Sequence, residues 1–259
     1  MAHHQDHDFF IPAPSIWPPV ACLGAGLMAF GLIALWHFSA LTGKVMMAAG
    51  LATVLIGAFK WFGMLIAESR ARGKGEHPFV VDLGNRYGMI LFIVSEVMFF
   101  AAFFAGYFFL RSGNPTWPPE NIALLPVDLP ILGTLILLTS GATVTWAHHS
   151  IVHARKGETI VATTLTWQLG LIFLALQAFE YSHAAYSISS GVYGTTFFML
   201  TGFHGFHVLV GTLMLMLLTR RLIQGDFNEK QHFYFEATAW YWHFVDVVWV
   251  GLFLFVYIL

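Results

Sequence analysis

The chain has 259 residues, 58% hydrophobic and only 10% charged, with a mean hydropathy of +0.70. Soluble domains carry about 25% charged residues, so this composition excludes a water-soluble monomer, and a net charge of -2, weak and mixed in sign, points neither to a nucleic-acid surface nor to a strongly acidic partner surface. Cys22 is the single cysteine, which leaves no intrachain disulfide framework and no dithiol metal site.

In chain order, Met1 to Asp8 is polar and lacks Lys or Arg, so no cleaved signal peptide is expected there. Seven apolar runs follow, at about Val20 to Phe38, Val45 to Ala67, Met89 to Leu110, Pro130 to Ala147, Ile160 to Phe179, Phe197 to Leu218 and Phe235 to Ile258. Each approximates the roughly 20 residues that one bilayer crossing requires, so the expected fold is all-α, an integral membrane protein of seven transmembrane helices. Gly73, Lys74 and Gly75 with Pro78, the Pro115 to Pro119 cluster, and Gly225 with Asp226 supply turn chemistry between runs.

Seven crossings sort the cations. The N-terminus and the second, fourth and sixth loops share one face, which collects Arg70, Arg72, Lys74, Arg86, Arg155, Lys156, Arg220, Arg221 and Lys230, against Lys44 and Arg111 opposite. The positive-inside rule then expects a cytoplasmic N-terminus, or its matrix equivalent, and an outward C-terminus. Trp17, Trp117, Tyr186 and Tyr193, near the run ends, are expected to form an interfacial aromatic belt.

Polar side chains at membrane depth are expensive and call for partners. Glu96 lies among Phe99 and Phe100, where an ionised carboxylate is costly; it reads either as a proton-responsive or lipid-facing acid, or as a neutral acid bonded to a neighbouring helix. His204 and His207, and likewise His243 and Asp246, are spaced i, i+3 and so share helix faces. Interhelical hydrogen bonding is the favoured reading, and a metal the alternative. Glu236 and Trp240 continue the His243 stripe, which favours a structural polar seam. His148, His149, Glu180 and His183, at helix ends, are expected to be solvated or satisfied by loops, and the tail histidines His3, His4 and His7 to be solvated, with a capacity to buffer protons. No Walker loop, Gly-x-Ser-x-Gly elbow or His-Glu-x-x-His run is present, and one cysteine rules out a copper centre built on two thiolates.

Several long segments carry a resemblance. They are Tyr87 to Ile93 with Ser95, Glu96 and Val97; Thr145-Trp146-Ala147-His148-His149; Thr201 to Val208; and Ala239 to Trp249. With Pro14 to Pro18 and Trp117-Pro118-Pro119, they make the chain closely similar to the cytochrome c oxidase subunit III family almost end to end. The resemblance implies one membrane domain over 1–259, a V-shaped bundle with helices 1 and 2 (about 17–67) on one arm and helices 3 to 7 (about 79–259) on the other. Phospholipids lie in the cleft of such a bundle.

The resemblance further implies an accessory subunit of a proton-pumping oxidase, with no catalytic residue and no bound metal in this chain. Haem and copper belong to partner subunits I and II, cytochrome c serves the complex, and a supercomplex is a further candidate partner. The subunit would sustain proton uptake and protect the active site from turnover damage. Glu96 matches the family's membrane carboxylate, and Glu68, His77 and Arg221 match lipid head-group positions. Phe62 and Ala105 replace the usual Trp, Ala67 replaces a common Arg, and Lys60 is an unexpected cation that suits a lipid head group or a partner carboxylate. A bacterial inner membrane is expected in preference to the mitochondrial one. A stand-alone proton channel using Glu96 and Asp246 is a rival, and so is a retinal protein, although helix 7 lacks a lysine and only Lys60 would serve.

Overall fold

A computed structural model describes residues 14–71, 79–119, 126–229 and 231–259. Among these residues seven helices are long and apolar enough to cross a membrane. They are α1 (Trp17–His37), α2 (Ala40–Ala71), α3 (Phe79–Ser112), α4 (Asp128–Val152), α5 (Lys156–His183), α6 (Gly191–Gln224) and α7 (Phe233–Leu252), which continues as a π-type turn over Phe253–Ile258. Most helices outrun the apolar windows expected for them. Hydropathy marks only the bilayer-deep stretch, whereas i to i−4 hydrogen bonding continues into polar sequence. At 1.5 Å per residue the 34 residues of α3 span about 51 Å, well beyond a hydrocarbon layer of roughly 30 Å.

Helix ends follow local chemistry. Pro18 and Pro19 sit in the first turn of α1, where a missing N–H removes a donor that has no helical acceptor. Gly225 ends α6 at φ 76°, a left-handed geometry that lets the Gly225 and Asp226 N–H groups donate to Leu222 O and Arg221 O, each at 3.1 Å.

The chain divides into two compact units, Met1–Pro78 and Phe79–Leu259. In the first, α1 and α2 pack through glycines seven residues apart, Gly24 and Gly31 on α1 and Gly43, Gly50 and Gly57 on α2, all buried. A methyl group on Gly50 would lie 2.7 Å from the Gly24 carbonyl oxygen, and one on Gly31 would lie 2.8 Å from the Met47 nitrogen. The backbones therefore touch, as close packing of membrane helices allows where side chains are absent. Sequence reading passed over this heptad repeat, although it is visible in the spacing.

The second unit is built around α7. Trp242 and Trp249, at 0% and 1% exposure, are its largest buried side chains. Their indole N–H groups donate to Ser140 Oγ and Thr134 Oγ1 on α4, each at 2.9 Å. Buried Thr163, Thr166, Thr201 and Thr212 donate their hydroxyls to carbonyls four residues earlier, at 2.7 to 2.8 Å, so burial leaves none of these donors unmet.

One expectation is corrected here. Tyr186 and Tyr193 are 7% and 4% exposed, not turned outward as a belt. They pack edge-on to each other at 5.5 Å, and each meets Phe197, because the α5–α6 connection carries Tyr186 back onto Tyr193 in the first turn of α6.

Candidate functional site

The polar groups at membrane depth come together in pairs, each joining two helices. His207 on α6 lies with Nε2 2.9 Å from Glu96 Oε2 on α3, and its Nδ1 lies 2.7 Å from the Phe203 carbonyl oxygen. A carbonyl only accepts, so Nδ1 carries a hydrogen and a neutral imidazole presents a bare Nε2 to the carboxylate. Two lone pairs do not sit at that distance. One proton therefore lies between Glu96 and His207, held on one or the other. Phe99 and Phe100 flank the imidazole at 6.4 and 5.0 Å and limit water access.

The remaining seam residues do not form one continuous network. His204, fully buried, donates from Nε2 to the Val245 carbonyl on α7 at 3.2 Å. His243 places Nε2 3.2 Å from Thr145 Oγ1 on α4, with Nδ1 3.6 Å from Asp246 Oδ2. Asp246 is accommodated because α4 has glycine opposite it; a methyl on Gly141 would fall 2.5 Å from Oδ2. Glu236 accepts from Arg86 on α3, whose Nη2 lies 3.0 Å from each carboxylate oxygen. The alternative of a metal held by His204, His207, His243 and Asp246 does not match this geometry, since His204 faces α7, His207 faces α3, and His243 and Asp246 face α4.

Glu180 departs from its expected solvation. It is 4% exposed and accepts from Gln177 Nε2 at 2.7 Å and from Tyr257 Oη at 3.0 Å. His149 and His183 are exposed, whereas His148 is half-buried.

The lipid-associated positions separate. Arg221 is engaged within the chain: Nε donates to Asp226 Oδ2 at 3.0 Å, and the guanidinium stacks over Phe227 at 4.6 Å and Tyr234 at 5.2 Å. Nε of Arg221 is therefore committed to Asp226 within the chain. Neighbouring Arg220 is exposed and lines a groove of about 370 Å³ with Trp167, Met216 and Ile223. Lys60 is exposed on α2 and Glu68 is half-buried near its end. His77, His3, His4 and His7 lie outside the described residues.

Glu96→Gln is expected to leave the subunit assembled and turnover close to native, since the Gln amide donates to the bare Nε2 of a neutral His207. Glu96→Leu strips that partner from a buried imidazole, at a cost of about 1–3 kcal/mol. Quantifying the chain in purified complexes checks both; total loss of turnover in an assembled Glu96→Gln complex would show that a titrating carboxylate is required.

Seven membrane-length helices, with polar groups of the second unit paired between α3, α4, α6 and α7, define a polytopic integral membrane protein. The chain matches the family model for cytochrome c oxidase subunit III over residues 7–259. It is similar to cytochrome c oxidase subunit 3 of Marchantia polymorpha, 48% identical over 99% of this chain and 98% of the relative. The corresponding proteins of Xenopus laevis and Ornithorhynchus anatinus are 47% and 45% identical, each over 98% of both chains. The chain belongs to the cytochrome c oxidase subunit III family, and so to a respiratory oxidase complex whose other subunits are its partners.

Proposed function

We propose that the chain is an accessory subunit, without haem or copper of its own, that stabilises a proton-pumping oxidase and sustains proton uptake and oxygen reduction by its catalytic subunit I. Cytochrome c reaches the complex through the other subunits. The observation that carries the non-redox reading is the commitment of the membrane-depth histidines. His204, His207 and His243 each meet a carbonyl, a carboxylate or a hydroxyl of another helix, and none faces a second imidazole as a bis-histidine haem ligand pair would.

Removing this chain from the purified oxidase with detergent is expected to leave haem and copper per subunit I unchanged while activity decays faster during turnover. Loss of haem or copper in proportion to the chain removed would overturn the reading.

The same reading includes bound phospholipid. An apolar groove ending in an exposed guanidinium suits an acyl chain with its phosphate, which supports Arg220 as a phosphate ligand in the second unit; Lys60 and Glu68, on α2 of the first unit, are proposed separately as head-group contacts. Bound phosphorus should fall in Arg220→Ala complexes and hold in Arg221→Ala complexes; the reverse result would return the role to Arg221. The sorting of cations supports an N-terminus on the cytoplasmic side, or its matrix equivalent.

A further inference from the structure

The connection before α7 returns a histidine to the end of α4, and three side chains converge there. His148 on the last turns of α4, His232 at the N-cap of α7 and Glu236 one turn into α7 each offer a ligand atom, and these atoms all lie within 4.8 Å of one another. Among the described residues this is the only group of three or more such side chains within chelating reach. Sequence neighbourhood supplies only part of this arrangement: His232 and Glu236 share a face at i, i+4, whereas His148 arrives from another helix.

The orientation of the imidazoles favours metal ligation. His232 Nδ1 lies 3.2 Å from the Asn228 carbonyl oxygen, which can only accept, so Nδ1 is the protonated nitrogen. Nε2 then points its lone pair at Glu236 Oε1, 3.3 Å away. A second proton or a cation must lie between two such acceptors. An imidazole fixed through Nδ1–H to a backbone carbonyl, with Nε2 free, is the arrangement that outer-shell bonding imposes on histidine metal ligands. His148 is held against the Phe235 ring, at 5.6 Å and 23°, and edge-on to His232 at 5.8 Å. Arg86 contacts the same carboxylate at 3.0 Å, but a carboxylate offers about four lone-pair directions, and one guanidinium nitrogen does not exhaust them.

We propose that His148, His232 and Glu236 form a binding site for a borderline-soft divalent cation of the Zn²⁺ class, bridging α4 and α7 at the end of the unit that carries Arg155, Lys156, Arg220 and Arg221. Two imidazoles and one carboxylate are a three-ligand set typical of zinc, with a fourth position for water. Tetrahedral coordination at about 2.0–2.1 Å brings donor atoms closer than 4.8 Å, a contraction that side-chain rotation at His148 supplies. Magnesium, which demands oxygen ligands in octahedral geometry, does not fit.

The test uses the intact purified oxidase, freed of loosely bound metal and dialysed against Zn²⁺ alone. Native complex is expected to bind one Zn²⁺ more than His148→Ala or His232→Ala complexes, or to hold that ion at least about 10-fold more tightly, the lower bound for losing even an outer-shell partner. His149→Ala, which alters the exposed neighbour, should bind as native does, and excess Mg²⁺ should not compete. His148→Gln serves if the alanine variant fails to assemble, with assembly read from haem content per copy of this chain. Equal Zn²⁺ stoichiometry and affinity in native, His148 and His232 variants would overturn the proposal.

Discussion

Gly50→Val is expected to separate α1 from α2 and to reduce the amount of this subunit recovered in the oxidase by about fivefold to a hundredfold. Even a methyl at this position would meet the Gly24 carbonyl oxygen and Met28 Cγ at 2.7 Å and the Met28 nitrogen at 2.8 Å. Two of these three atoms are backbone, so no rotamer change relieves the overlap, and the helices must move apart. Overpacking of this kind costs about 1–3 kcal/mol, occasionally more, and each 1.4 kcal/mol is a factor of ten. Inside a bilayer the loss is not recovered by hydrophobic collapse, because lipid tails solvate separated helices as well as each other. Gly63→Val is the control: it lies on the same helix, and a methyl there meets nothing within 4 Å. Quantifying the subunit in purified complexes decides the matter. Equal recovery of the two variants would remove the idea that glycine contact holds α1 to α2.

Trp242→Ala is expected to be the most destabilising single truncation in the second unit. The ring is fully buried, and methyl groups on Gly170 of α5 and Gly211 of α6 would lie 2.7 and 2.8 Å from it, so both helices have been cleared to admit it. Truncation removes the ring from between α5, α6 and α4 and leaves a cavity, at a cost of about 3–5 kcal/mol. Ser140→Ala should cost less, about 1–3 kcal/mol, through the stranded indole N–H. Trp242→Phe should cost least among changes at Trp242, because most of the ring volume survives and the Ser140 hydroxyl keeps its own hydrogen bond to the Leu137 carbonyl oxygen. Thermal release of the subunit from the purified complex measures the order. A Trp242→Ala complex as stable as Ser140→Ala would mean that the hydrogen bond, not the packing of α7, governs stability here.

Seven spans, an all-α fold and the sorting of cations were legible in the sequence because they follow from composition along a single line: a run of about 20 apolar residues crosses a bilayer whatever its neighbours are. Family membership was legible for the same reason, since segments such as Thr201 to Val208 and Ala239 to Trp249 are continuous in the chain. The heptad of Gly24, Gly31, Gly43, Gly50 and Gly57 was also in plain view, but its meaning depends on two helices lying against each other. Spacing identified Glu96 and His207 as costly groups; only the packing of α3 on α6 made each the other's partner.

Tertiary structure alone decided the rest. Tyr186 and Tyr193 look interfacial by position and are buried, because the short α5–α6 connection lays Tyr186 against Tyr193 at the start of α6. Arg220 and Arg221 are indistinguishable as letters, yet consecutive helical residues point about 100° apart, so one lines an outer groove while the other turns onto Asp226 and two rings. His148 reads alone as a helix-end residue and acquires His232 and Glu236 only where the start of α7 meets the end of α4. A sequence determines which side chains are too costly to leave bare in a membrane; which neighbour satisfies each is a property of distances between helices, and that information exists only once they pack.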